Sequence, residues 1–141
     1  MDKNFDIQEN DAVSEKLYSF AKDATEMILE NKKKSIGISF VSDAKMQDLN
    51  QNFRGRDSTT DVLSFPFAAE EFEDKNFLGD IIISTEQAKK QALENGLSEE
   101  VEIRQLILHG ILHLCGYDHD TDEGEMNSLE LKFRDKLGIN R

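Results

Sequence analysis

Cysteine, proline and histidine are all scarce in this 141-residue chain, and basic side chains are outnumbered. The single cysteine, Cys115, excludes an internal disulfide framework. The single proline, Pro66, leaves no proline-rich linker, and no repeat or low-complexity segment interrupts the chain. No apolar run approaches the roughly 20 residues that a membrane-spanning helix needs. Residues 1–10 are acidic and polar and lack the apolar core of a signal peptide, so a cytoplasmic location is the expectation. With 17 Lys and Arg against 29 Asp and Glu the net charge is −12, which excludes simple wrapping of nucleic acid by a broadly basic surface. The length fits one domain, residues 1–141, and 38% hydrophobic composition is enough to build its core.

The charge is unevenly placed. Residues 32–56 carry six Lys and Arg against two Asp, a local net of +4. Lys32, Lys33, Lys34, Lys45, Arg54 and Arg56 make up this stretch. By itself it is explained by a helix end and a solvated loop, because lysines favour the negative end of a helix dipole.

Periodicity predicts the elements. Phe5 to Gln8 reads as a short strand. Val13, Leu17, Phe20, Ala24 and Ile28 recur near the helical period within a helix over 13–33. Ser35 to Ser42 alternates apolar and small polar residues, as a strand does. A short helix over 43–53 places Met46, Leu49, Asn50 and Phe53 on one side, and a polar loop follows over 54–60. Strands are expected over 61–67 and 78–84, with an acidic loop over 68–76. Ser84-Thr-Glu-Gln87 is a capping box that opens a helix to Asn95, which Gly96 ends. Ser98 caps a long apolar helix, and a last amphipathic helix runs over 122–137 to Gly138. The result is an α+β fold: a small mixed sheet of about four strands packed with about five helices.

All three histidines fall in one short run, His109-Gly-Ile-Leu-His113-Leu-Cys-Gly116-Tyr-Asp-His119. Residues four apart on a helix share a face, so His109 and His113 point the same way. Gly116 suits a helix stop, after which the chain can return His119 to the other two. Three imidazoles plus water is the usual make-up of a catalytic zinc site, whereas structural sites are closed by four protein ligands. Cys115 lies roughly 200° around the helix from His113 and reads as core.

This run matches the signature of the YbeY-type endoribonuclease family of bacteria. Two further segments resemble that family in order and spacing: Leu49-Asn-Gln-Asn-Phe-Arg54-Gly-Arg-Asp-Ser-Thr-Thr60-Asp61-Val-Leu-Ser64-Phe-Pro66 and Leu78-Gly79-Asp80-Ile81. Together the three cover roughly residues 36–137. The resemblance implies that His109, His113 and His119 bind one catalytic zinc ion per chain. It implies that Arg54 is the functional arginine near the metal. It implies cleavage of single-stranded RNA in ribosomal RNA maturation and ribosome quality control, with the small ribosomal subunit or its assembly factors as partners. On this reading Arg54 and His113 are the catalytic candidates, and Arg54, Arg56 and Lys45 the RNA contacts. The competing readings are a ribosome-assembly factor with a mainly structural metal and a metal hydrolase of another substrate class.

The histidine spacing also resembles that of metzincin proteases. Those enzymes place a glutamate, their general base, directly after the first histidine, and this chain has Gly110 there. Other roles stay open at this level. Without the resemblance, Arg54 reads as a surface ion pair. Asp118 and Asp120 suit either a base or an orienting contact to His119. Asp120 with Glu123 also suits a helix cap, and Tyr117 suits substrate contact or turn packing. Thr60, Asp61 and Ser64 are explained equally by turn chemistry and strand pairing, and Met126 reads as core.

Overall fold

The computed structural model describes residues 5–6, 11–29, 35–66, 77–116 and 125–139. Their elements run in the order β1 (Phe5–Asp6), α1 (Asp11–Ile28), β2 (Ser35–Val41), α2 (Asp43–Arg54), β3 (Val62–Pro66), β4 (Phe77–Ser84), α3 (Thr85–Asn95), α4 (Glu99–Leu114) and α5 (Glu125–Leu137). The expected α+β architecture of about four strands and five helices is the observed one.

The sheet order is β1-β2-β4-β3, with β1 and β4 parallel to β2 and β3 antiparallel to β4. Alternation along the strands then divides the sheet. Ile36 and Ile38 of β2 and Ile81 and Ile83 of β4 turn to one face and join α1 and α4 in a single apolar cluster with Leu17, Phe20, Ile107 and Ile111. Gly37 and Asp80 turn to the other face, where a Cβ on Gly37 would lie 2.2 Å from Asp80 Oδ1. Phe65, paired with Asp80, shares that face and meets Phe53 of α2 edge to face, ring centroids 5.2 Å apart. Helices α2 and α4 therefore lie on opposite faces, and edge strand β3 runs between them.

Three serines start three helices. The hydroxyls of Ser42, Ser84 and Ser98 accept from the backbone N–H of Lys45, Gln87 and Val101 at 3.1–3.2 Å. The strand expected over Ser35 to Ser42 thus ends one residue early, at Val41, because Ser42 is already a cap. Strand β1 covers Phe5–Asp6 of the expected strand, whose other residues lie outside the described ones, as do residues 30–33 of the first expected helix; α1 ends at Ile28, with Leu29 in a turn. The expected loop over 68–76 lies outside the described residues. Phe53 departs from its expected grouping. Met46 and Asn50 are buried, but Phe53, at the last turn of the same stripe, is 65% exposed.

Asp43 ties α2 to its surroundings. Its carboxylate accepts from Ser84 Oγ (2.5 Å), Thr59 Oγ1 (3.0 Å) and Gln87 Nε2 (3.0 Å), while its backbone N–H donates to Glu86 Oε1 (2.8 Å). The Ser84 hydrogen bond leads in holding this carboxyl below the usual aspartate range, against a smaller opposing effect of burial. A carboxyl depressed in the folded state contributes stability that is fully present above its unfolded value and is lost as pH falls through the folded one. Asp43→Asn is expected to lower stability by about 1 kcal/mol at neutral pH, the contribution of charged hydrogen bonds after screening by solvent. Urea midpoints of the two proteins from pH 7 to pH 3 check this. The gap narrows toward the acid end, and a gap that is constant with pH would refute the charge assignment.

Candidate functional site

Helix α4 is sandwiched between the sheet and helices α1, α3 and α5. From Gln105 to Leu114 every residue is buried except His109 and His113. The two imidazoles thus open to solvent on a helix that is closed everywhere else along this run. Their Nε2 atoms are 3.1 Å apart, with ring centroids 4.7 Å apart. Two nitrogens each about 2.0–2.1 Å from one tetrahedral zinc ion lie roughly 3.3 Å apart, so this pair fits a shared ion.

The tautomer of His109 is set from behind. Its Nδ1–H donates to Glu130 Oε1 at 2.7 Å, which leaves the Nε2 lone pair facing His113. Glu130 is 8% exposed, and its other oxygen accepts from Arg134 Nη2 at 2.5 Å. Burial pushes the Glu130 carboxyl up. The hydrogen bond and charge of His109 and the Arg134 guanidinium outweigh that and hold it below the usual carboxylate range. A buried carboxylate behind a histidine is the arrangement that fixes ring orientation and raises ligand basicity at metal centres. The sequence reading missed Glu130. Its spacing to Arg134 is that of an ordinary i,i+4 surface pair, and only the packing of α5 on α4 gives it another role.

Gly110 faces away from the imidazoles. A Cβ at this position would come within 2.9–3.0 Å of three side-chain atoms of Ile81, which is fully buried on β4. The position that carries the base in metzincins is here a close contact between helix and sheet. Ser64 Oγ donates to the Gly110 carbonyl at 3.4 Å and holds β3 against the same turn of helix.

Cys115 packs against the apolar cluster, and burial pushes its thiol up, so it stays protonated, as the core reading expects. Asp61 Oδ1 accepts from the backbone N–H of Val62 at 2.8 Å and from Thr60 Oγ1 at 3.4 Å, which is turn chemistry. Lys45, Arg54 and Arg56 are exposed on or just beyond α2 and form no ion pair among the described residues. They sit across β3 from the histidines. His119, Tyr117, Asp118, Asp120, Glu123 and Lys32–Lys34 lie outside the described residues, as does the Met126 side chain. Among the described residues no third His, Cys, Asp or Glu joins His109 and His113 in a metal-binding group.

A cavity of about 430 Å³ adjoins His109 between α3, α4, α5 and the residue before β3, Asp61. Asp61, Glu102 and Glu130 line it, with Arg134 the one cation among its lining residues. No helix among the described residues is long and apolar enough to cross a membrane.

The fold and site define an α+β protein with a candidate histidine metal centre on its most buried helix. Comparison with known proteins is more specific. The model of the family described as Endoribonuclease YbeY matches residues 2–138. A relative from Clostridioides difficile (strain 630), named Endoribonuclease YbeY, is 45% identical over 112 residues, 75% of this chain and 73% of its own. Another of that name, from Desulforamulus reducens, is 40% identical over 146 residues, 96% of this chain and 95% of its own. The solution structure of TM1509 from Thermotoga maritima is similar at a TM-score of 0.64 and 28% identity, covering 94% of this chain and 86% of that one. This chain belongs to the endoribonuclease YbeY family.

Proposed function

We propose that this protein is a cytoplasmic, single-strand-specific endoribonuclease of ribosomal RNA maturation and ribosome quality control. On this reading it hydrolyses phosphodiester bonds at a zinc site of His109, His113 and His119, with Arg54 on a phosphate. The small ribosomal subunit or its assembly factors are its partners. Family membership supports the RNA substrate. The convergence of the His109 and His113 Nε2 atoms, backed by buried Glu130, carries the metal assignment.

A zinc ion bound there supplies Lewis acidity beside the scissile phosphate. The chain's own groups do the rest. Glu130 keeps the His109 proton on Nδ1 and fixes the ring. Arg54 presents a planar, permanently charged fork that can hold two phosphate oxygens at once. Arg56 and Lys45 extend the positive potential along the substrate backbone. The overall charge of −12 keeps affinity for generic RNA low and leaves targeting to the ribosomal partner.

Cleavage of a single-stranded RNA by zinc-loaded protein tests this reading, with Arg54→Ala alongside. The variant is expected to keep its fold and its zinc and to lose about 10²- to 10³-fold in kcat/KM, the usual cost of removing one donor to developing phosphate charge. If Arg54→Ala cleaves as fast as wild type, Arg54 is not the phosphate group.

A further inference from the structure

Phe53 is exposed although Met46 and Asn50 on the same side of its helix are buried. A lone exposed apolar side chain is ordinary, and Leu93 is more exposed still. The surroundings of Phe53 set it apart. Its ring meets the Phe65 ring edge to face at 72° and 5.2 Å while most of its surface meets solvent. Arg54 follows it directly and Arg56 two residues later, both exposed.

The backbone that carries them is tied down at every step. Gly55 takes a left-handed conformation (φ 68°), and its N–H donates to the Gln51 carbonyl at 3.0 Å. Arg56 N–H reaches the Asn50 carbonyl at 3.3 Å. Buried Asn50 donates from Nδ2 to the Ser58 carbonyl at 2.8 Å, Gln47 Nε2 to Asp57 Oδ1 at 2.9 Å, and Thr59 to Asp43. An aromatic ring at the end of α2 thus adjoins two cations on a pre-ordered helix end and loop, so little ordering entropy is lost on binding.

We propose that Phe53 is a stacking platform for one unpaired base of the RNA substrate, with Arg54 and Arg56 on the adjoining phosphates. This rests on the RNA-cleaving reading above and deepens it, because it gives a physical source of single-strand selectivity. Bases of single strands stack on aromatic side chains, while a base inside a duplex has no free face. Charge complementarity argues for RNA as the occupant: Lys45, Arg54 and Arg56 are exposed at or just beyond this helix and form no ion pair among the described residues. The strand then passes over β3, from Phe65 beside Phe53 to Ser64, whose hydroxyl touches α4 next to His109.

The chain contains no tryptophan, so Phe53→Trp places a unique fluorophore at this position. Titration of the zinc-loaded variant with a non-cleavable 2′-O-methyl single strand is expected to quench its emission, and the matching duplex is expected not to. Anisotropy of the labelled strand gives affinities for the other variants. Phe53→Tyr binds like wild type. Phe53→Ala and Phe53→Leu both bind about 5- to 150-fold more weakly, the loss of one base–aromatic stack. A leucine variant that binds like wild type, or quenching by duplex equal to that by single strand, overturns the platform. So does alanine binding at wild-type strength with an unquenched indole, which would assign this surface to a protein partner. If wild type neither binds nor cleaves single strands, the RNA reading itself fails and the platform with it, an outcome distinct from the others.

Discussion

His113→Ala is expected to abolish cleavage while leaving the fold intact. Zinc content should fall from one per chain toward zero, and kcat/KM on single-stranded RNA by on the order of 10³-fold or more. That magnitude follows from the several kcal/mol of transition-state charge stabilisation a Lewis acid supplies, at about 1.4 kcal/mol per tenfold. The fold should survive because His113 is only partly buried at the C-terminal end of α4 and alanine is the best helix former. Removing it deletes no core contact of the kind Ile107 or Ile111 makes. Metal analysis, a cleavage assay and a melting curve on one preparation separate the alternatives. A variant that loses zinc and cleaves at the wild-type rate would refute a catalytic metal. A variant that loses zinc and unfolds would point to a structural one, whose binding energy is folding energy.

The order of elements was legible in the sequence because it is encoded locally. Ser42, Ser84 and Ser98 announce three helix starts by cap chemistry alone, and the alternation in Ser35–Val41 announces a strand. His109 and His113 were legible for the same reason, since a spacing of four fixes their common face whatever surrounds it. Glu130 was not, because its contact with His109 spans 21 residues and depends on how α5 lies on α4. The exposure of Phe53 was not legible either. Its apolar spacing from Met46 and Asn50 is that of a core residue, yet the sheet beneath α2 ends at edge strand β3 before it covers the last turn. The separation of Arg54 from the histidines by that strand is likewise a matter of tertiary structure. Neighbours in a motif need not share a face of the sheet.

The absence of a glutamate after His109 was visible in the sequence, but its physical reason was not. Gly110→Glu, which writes the protease residue into this position, is expected to unfold the protein rather than convert it. The Cβ alone would lie 2.9–3.0 Å from three atoms of Ile81, a side chain with no exposed surface on a central strand. Overpacking of that kind costs about 1–3 kcal/mol. The rest of the side chain would bring a carboxylate against apolar Ile81, at several kcal/mol more unless it neutralises. Together these approach the roughly 5–15 kcal/mol that holds a domain folded. Gly110→Ala isolates the first part. It should destabilise by less than the packing cost, because alanine regains about 1 kcal/mol of helix propensity over glycine. Pairing Gly110→Ala with Ile81→Ala should recover stability relative to the sum of the single changes, since the cavity left at residue 81 receives the new methyl group. Urea midpoints of the four proteins measure this coupling. Strict additivity would show that helix and sheet do not meet at this contact, and a soluble, folded Gly110→Glu would show that the base position is open after all. The helix that presents the two imidazoles sits this close to the sheet only because residue 110 has no side chain, so the same glycine that excludes the protease base also sets the depth of the histidine pair.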